Sequence, residues 1–143
     1  MKSPLLKQLM TPFPYAVELD ATVDNARNLL ETHRIHHLPV VHEHLPVGLV
    51  TDREITQGLA NAARQENPES LLVRDVYVPD PCVVDINVPL AIVLQTMSER
   101  HIDAVIITRK QRLAGVLTGM DVCRFFAAYL REHFPSADGG DYA

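Results

Sequence analysis

The chain has 143 residues, a formal charge of −5 and 47% apolar residues, which suits one compact domain or two small halves with a genuine core. Lysines and arginines are scattered and outnumbered, which argues against a nucleic-acid role. No apolar run approaches the ~20 residues of a membrane span, Met1-Lys2-Ser3-Pro4 lacks the apolar core of a secretory signal, and two distant cysteines without a C-x-x-C fit reduced thiols in the cytoplasm.

In chain order, Lys7 to Thr11 leads into Pro12-Phe13-Pro14, a stiff extended segment. Tyr15-Ala16-Val17-Glu18-Leu19 reads as a short strand. Asp20 to Asp24 offers helix-start residues, and Val23, Ala26, Leu29 and Leu30 have the spacing of a half-buried helix. Leu38-Pro39-Val40-Val41 reads as a buried strand, His42-Glu43-His44 as a solvated tip, and Val47-Gly48-Leu49-Val50 as the hairpin partner. A helix from Asp52 through Ile55, Leu59, Ala62 and Ala63 should stop near Asn67-Pro68.

The second half repeats this order. Cys82-Val83-Val84-Asp85-Ile86 is the short strand, and Leu90, Val93, Leu94 and Met97 form the helix stripe. Val88, Ala91 and Ile92 widen that stripe and suggest a dimer contact. Ala104 to Ile107 and Leu113 to Leu117 make the hairpin, and Val122, Phe125, Phe126, Tyr129 and Leu130 mark a last helix whose aromatics read as core or dimer contact. Residues 135–143, rich in Gly, Ser and Asp, read as a disordered tail.

The repetition is in register. Sliding the chain by the offset from Thr51 to Thr118 also aligns Leu9 with Val76, Pro12 with Pro79, Pro14 with Pro81, Val17 with Val84, Leu19 with Ile86, Ile35 with Ile102 and Leu38 with Val105. Units of about 60 residues are marginal alone, so two units, 1–67 and 68–134, should pack face to face around a shared core. The best-matched stretches are Gly48-Leu49-Val50-Thr51-Asp52-Arg53-Glu54-Ile55 and Gly115-Val116-Leu117-Thr118-Gly119-Met120-Asp121-Val122. Each is a strand running into a helix, with Thr and an acid three residues later as a capping box worth about 1 kcal/mol. A helix start also presents free N–H groups that suit a phosphate, and a carboxylate beside it can accept from ribose hydroxyls.

Two copies of strand–helix–strand–strand–helix, each with Gly-apolar-apolar-Thr-x-x-acid-apolar, resemble tandem CBS domains, the family named after cystathionine beta-synthase. Leu9-Met10-Thr11-Pro12 and His36-His37-Leu38-Pro39-Val40-Val41 are similar to further marks of that family, with His37 where arginine is usual. The resemblance covers about Leu5 to Leu130. It implies an α/β module of two β-α-β-β-α repeats related by a pseudo-twofold axis, homodimerisation, and adenine-containing regulatory ligands between the repeats: AMP, ADP, ATP, NAD or S-adenosylmethionine.

The resemblance further implies that each cleft borrows from both repeats. Cleft one would join Thr118 and Asp121 to Pro14, Tyr15, Ala16, Ile35, His36, His37 and Pro39. Cleft two would join Thr51 and Glu54 to Pro81, Cys82, Val83, Ile102, Asp103 and Ala104. Glu54 is one methylene longer than aspartate, and Asp103 would repel a phosphate, so cleft two is expected to be weak or empty.

Five of the seven histidines fall between His33 and His44, but His36 and His37 are neighbours on an extended segment and should point apart, so a metal site is not expected. There is no nucleophile elbow, Walker loop or paired His-Glu helix motif, and beside two repeats there is no room for a catalytic domain. The expected function is a non-catalytic adenosyl-ligand sensor read by an effector protein, the alternative being a structural dimerisation module with degenerate clefts.

Overall fold

The structure, a computed structural model, describes residues 2–12, 14–64 and 71–135. Helix α1 (Leu6–Leu9) and strand β1 (Thr11–Pro12) precede β2 (Val17–Glu18), α2 (Val23–His33), β3 (His37–His42), β4 (Leu45–Thr51) and α3 (Asp52–Ala62). A 3-10 turn (Val73–Asp75) and β5 (Val78–Pro79) open the second half, followed by β6 (Val83–Asp85), α4 (Leu90–Arg100), β7 (Ala104–Arg109), β8 (Arg112–Thr118) and α5 (Gly119–His133). The short strand, helix, hairpin and helix read from sequence in each half are present, whereas α1, the 3-10 turn and β5 were not read. The helix stop at Asn67-Pro68, Phe13, and the tail from residue 136 onward lie outside the described residues.

The two halves share their departures from ordinary backbone. Helices α2 and α4 end on left-handed Arg34 (φ 51) and His101 (φ 52), where glycine would be easier. Both hairpins turn on two consecutive positive φ values, Glu43 and His44 in one, Lys110 and Gln111 in the other. These are the dihedral signs of a type I′ turn, whose twist matches that of the strands it joins. The repeat is therefore carried by backbone geometry as well as by residue type.

Two four-stranded sheets form, ordered β2-β3-β4-β5 and β1-β8-β7-β6. The outer strands are exchanged. β1, from the start of the chain, pairs antiparallel with β8 through Thr11↔Val116 and Pro12↔Gly115. β5, from the start of the second half, pairs with β4 through Gly48↔Pro79 and Leu49↔Val78.

The cores follow the exchange. One cluster gathers Val23, Ala26, Leu38, Val40, Val50 and Ile55 around Val73. The other gathers Val93, Val105, Ile107 and Leu117 around Leu6 and Leu9. The expected single shared core is thus replaced by two clusters, each closed by apolar side chains from the other half. A four-stranded sheet with only two helices leaves one flank of its core open, and the exchanged segment covers it.

Candidate functional site

At the end of β8, Thr118 leaves the strand in extended conformation and caps α5. Its hydroxyl accepts from the Asp121 N–H at 3.2 Å. Asp121 Oδ2 in turn accepts from the Thr118 N–H at 2.9 Å and the Thr118 hydroxyl at 3.0 Å. The other oxygen, Oδ1, accepts from Arg124 Nη1 at 3.2 Å and from the Thr11 hydroxyl at 3.4 Å. Asp121 is only 7% exposed. A carboxylate fixed by backbone on one oxygen and held by two side chains on the other is a fixed acceptor whose second oxygen can exchange partners. At the matching junction of β4 and α3, Glu54 Oε2 accepts from the Thr51 N–H at 2.8 Å and also from the Thr51 hydroxyl.

Over Asp121 lies a cleft of about 870 Å³. It is lined from the first half by Thr11, Pro12, Pro14, Tyr15, Ile35, His36 and His37, and from the second by Asp103, Val116, Thr118, Gly119, Met120, Asp121 and Arg124. Seven residues expected at cleft one come together here: Thr118, Asp121, Pro14, Tyr15, Ile35, His36 and His37. Pro39 is buried inside β3, and Ala16 is half-buried ahead of β2; neither belongs to the lining. His36 and His37 both line this cleft. The Tyr15 ring stacks on His33 with centroids 3.6 Å apart.

Asp103, expected at cleft two, lines this first cleft instead. Its carbonyl accepts from the Gly119 N–H at 2.9 Å, which pins it beside the first turn of α5. The next residue, Ala104, pairs with Thr118 inside the sheet and is buried. Alternation along the segment therefore separates Asp103 from Ala104, although the sequence reading grouped them. Of the other residues expected at cleft two, Ile102 and Cys82 pack against the second core, Pro81, Thr51 and Glu54 are half-buried, and Val83 is exposed.

The sequence reading missed Thr11, Pro12, Val116, Gly119, Met120 and Arg124. Arg124 carried a legible signal, since it lies one helical turn after Asp121 and pairs with it. Thr11 carried none, because only the exchange of β1 brings it to the far half.

Burial lowers the pKa of His37, with His36 acting in the same direction. Asp103 is the chief opposing influence, and Glu54 and Asp121 also favour the charged ring. Among the described residues no three His, Cys, Asp or Glu side chains are grouped to hold a metal ion, and both cysteines are free thiols. No helix among them is long and apolar enough to cross a membrane.

The family model described as CBS domain matches residues 6–61 and again residues 73–128. The chain is 29% identical over 130 residues to L-aspartate semialdehyde sulfurtransferase of Methanocaldococcus jannaschii; the match covers 88% of this chain but 24% of that enzyme, so the chain spans about a quarter of it. Among solved structures it resembles the CBS domain pair of protein MJ0100 in complex with 5′-methylthioadenosine and S-adenosyl-L-methionine, with a TM-score of 0.76, 23% identity and coverage of 90% of this chain and 99% of that one. It resembles CBSX2 in complex with AMP equally well, with a TM-score of 0.76, 24% identity and coverage of 90% and 100%.

Proposed function

The chain belongs to the CBS domain family, and on that premise we propose that it is a non-catalytic regulatory module that binds an adenosine-containing ligand in the cleft over Asp121. One observation carries the reading: a nearly buried carboxylate, oriented by a helix cap, forms the polar edge of a cleft of about 870 Å³ built from both repeats. The ribose hydroxyls would replace Thr11 and Arg124 on Asp121 Oδ1, as acidic residues hold ribose in dinucleotide-binding folds. Pro12, Pro14, Tyr15 and Ile35 supply an apolar wall for the base. The ligands named for the two similar structures, AMP in one and two adenosyl thioethers or sulfonium compounds in the other, support the same chemistry. Of the residues first assigned to a second cleft, Asp103 lines the first one and Ile102 and Cys82 pack against the second core, which favours a single working site.

Ligand would act by favouring one relative setting of the two repeats, or of two subunits, over another, and an effector protein would read the difference. Calorimetry of the purified chain with AMP, ADP, ATP, NAD and S-adenosylmethionine tests the reading. Saturable binding to one site supports it; no heat and no thermal shift with any of them at millimolar concentration removes it.

A second reading, a dimerisation module, is favoured by Ile92 on α4 and Phe126 on α5, each 56% exposed although large and apolar. A homodimer burying these faces is compatible with ligand binding. Sedimentation of the chain beside an Ile92→Glu/Phe126→Glu variant tests it, with a shift from dimer to monomer expected.

A further inference from the structure

The charges around the cleft are unbalanced, and the imbalance bears on which adenosine derivative fits. Among the described lining residues the only lysine or arginine is Arg124, and its guanidinium is already paired with Asp121 at 3.2 Å. Against it stand two lining carboxylates, Asp103 and Asp121. A third, Glu54, lies near enough to act on the His37 ring together with those two. His37 adds no compensating cation at neutral pH, because burial holds its ring toward the neutral form. At the start of α5, which would otherwise attract an anion, the Gly119 N–H already donates to the Asp103 carbonyl and the Asp121 N–H to the Thr118 hydroxyl. A substituent on a bound adenosine therefore meets net negative potential, since charges closer than a screening length of about 8 Å still interact at physiological salt.

We infer that this cleft selects adenosyl ligands whose 5′ substituent is neutral or cationic, a thioether or sulfonium, and disfavours the polyphosphate of ATP. The inference rests on the proposed function above and names the ligand class of the same site. Asp103 is the discriminating residue. Unlike Asp121 it is exposed, and its carboxylate has no part in the α5 cap, so its charge is available to the incoming ligand.

The experiment is calorimetry of the full chain with 5′-methylthioadenosine, S-adenosylmethionine and ATP, without divalent cations, repeated at low and high salt and with Asp103→Asn. The expected result is affinity for the first two at least tenfold above that for ATP, with the ratio shrinking at least threefold in high salt and in the variant. ATP binding as tightly as 5′-methylthioadenosine overturns the inference while leaving adenosyl binding intact. A preference that neither salt nor Asp103→Asn alters also overturns it, because shape and not charge would then select. If none of the three binds, the proposed function itself falls, and the inference with it.

Discussion

The Thr11 hydroxyl donates to Asp121 Oδ1 across 110 residues of chain, 3.4 Å away. Thr11 reaches Asp121 only because β1 has left its own half to pair with β8, where Thr11 sits opposite Val116. The acidic residue at the candidate site is thus held in place by the opening segment of the chain. Anything that displaces that segment leaves Asp121 Oδ1 with Arg124 as its side-chain partner.

Replacing Asp121 separates the two tasks assigned to it. Asp121→Ala removes the cap bond to the Thr118 N–H and should lower stability by about 1 kcal/mol. It should also weaken adenosyl-ligand binding by more than tenfold. Denaturation and calorimetry on the same preparation check both, and unchanged affinity would strip Asp121 of its ligand role.

The exchange of segments predicts strong effects at two glycines. A Cβ at Gly48 would lie 2.4 Å from Tyr77 Cδ2 and from the Val78 carbonyl oxygen, both from the other half. A Cβ at Gly115 would lie 2.7 Å from Met10 Sδ and 2.9 Å from the Thr11 carbonyl oxygen. Gly48→Ala must push strand β5 away and should destabilise by roughly 1–3 kcal/mol. Gly115→Ala meets a flexible sulfur before it meets backbone and should cost less. Denaturant midpoints of the two variants check the order.

Leu6 provides a test of which core the start of the chain serves. It is 1% exposed and belongs to the cluster with Val105, Ile107 and Leu117. Leu6→Ala should cost about 2–5 kcal/mol by the cavity it leaves. Amide exchange should accelerate in β7 and β8 more than in β3 and β4, although Leu6 precedes all four in the chain.

The half-buried imidazole of His37 gives the stability a pH dependence. Its folded pKa lies below the ordinary 6.5, with burial the main cause. As pH falls, the unfolded chain therefore takes up this proton first. The contribution is present above about pH 6.5 and is lost between there and the lower folded value. Denaturation midpoints at about pH 7.5 and about pH 5.5 should differ more for the native chain than for His37→Asn. An equal fall in both would assign the dependence elsewhere.

Much of this protein was legible in residue order because its information is local and written twice. Thr51 with Glu54 and Thr118 with Asp121 marked both helix starts, and both carboxylates do bond back to their threonines. Alternating and helix-spaced apolar residues located the hairpins and helices, since burial on one face imposes a period that a short window reveals. Which half lends β1 and β5 to the other was not written in that way. Thr11-Pro12 and Val78-Pro79 are two-residue strands with no period of their own, and their placement depends on where Leu6, Leu9 and Val73 find open core to fill. Asp103 meets Gly119 by continuing the β7–β8 register one residue beyond Ala104 and Thr118, a step the sequence reading did not take. The sequence by itself determined the repeated unit and the acid at its junction. Only tertiary packing decided which distant residues surround that acid, because such contacts are fixed by closing two cores at once and leave no local pattern.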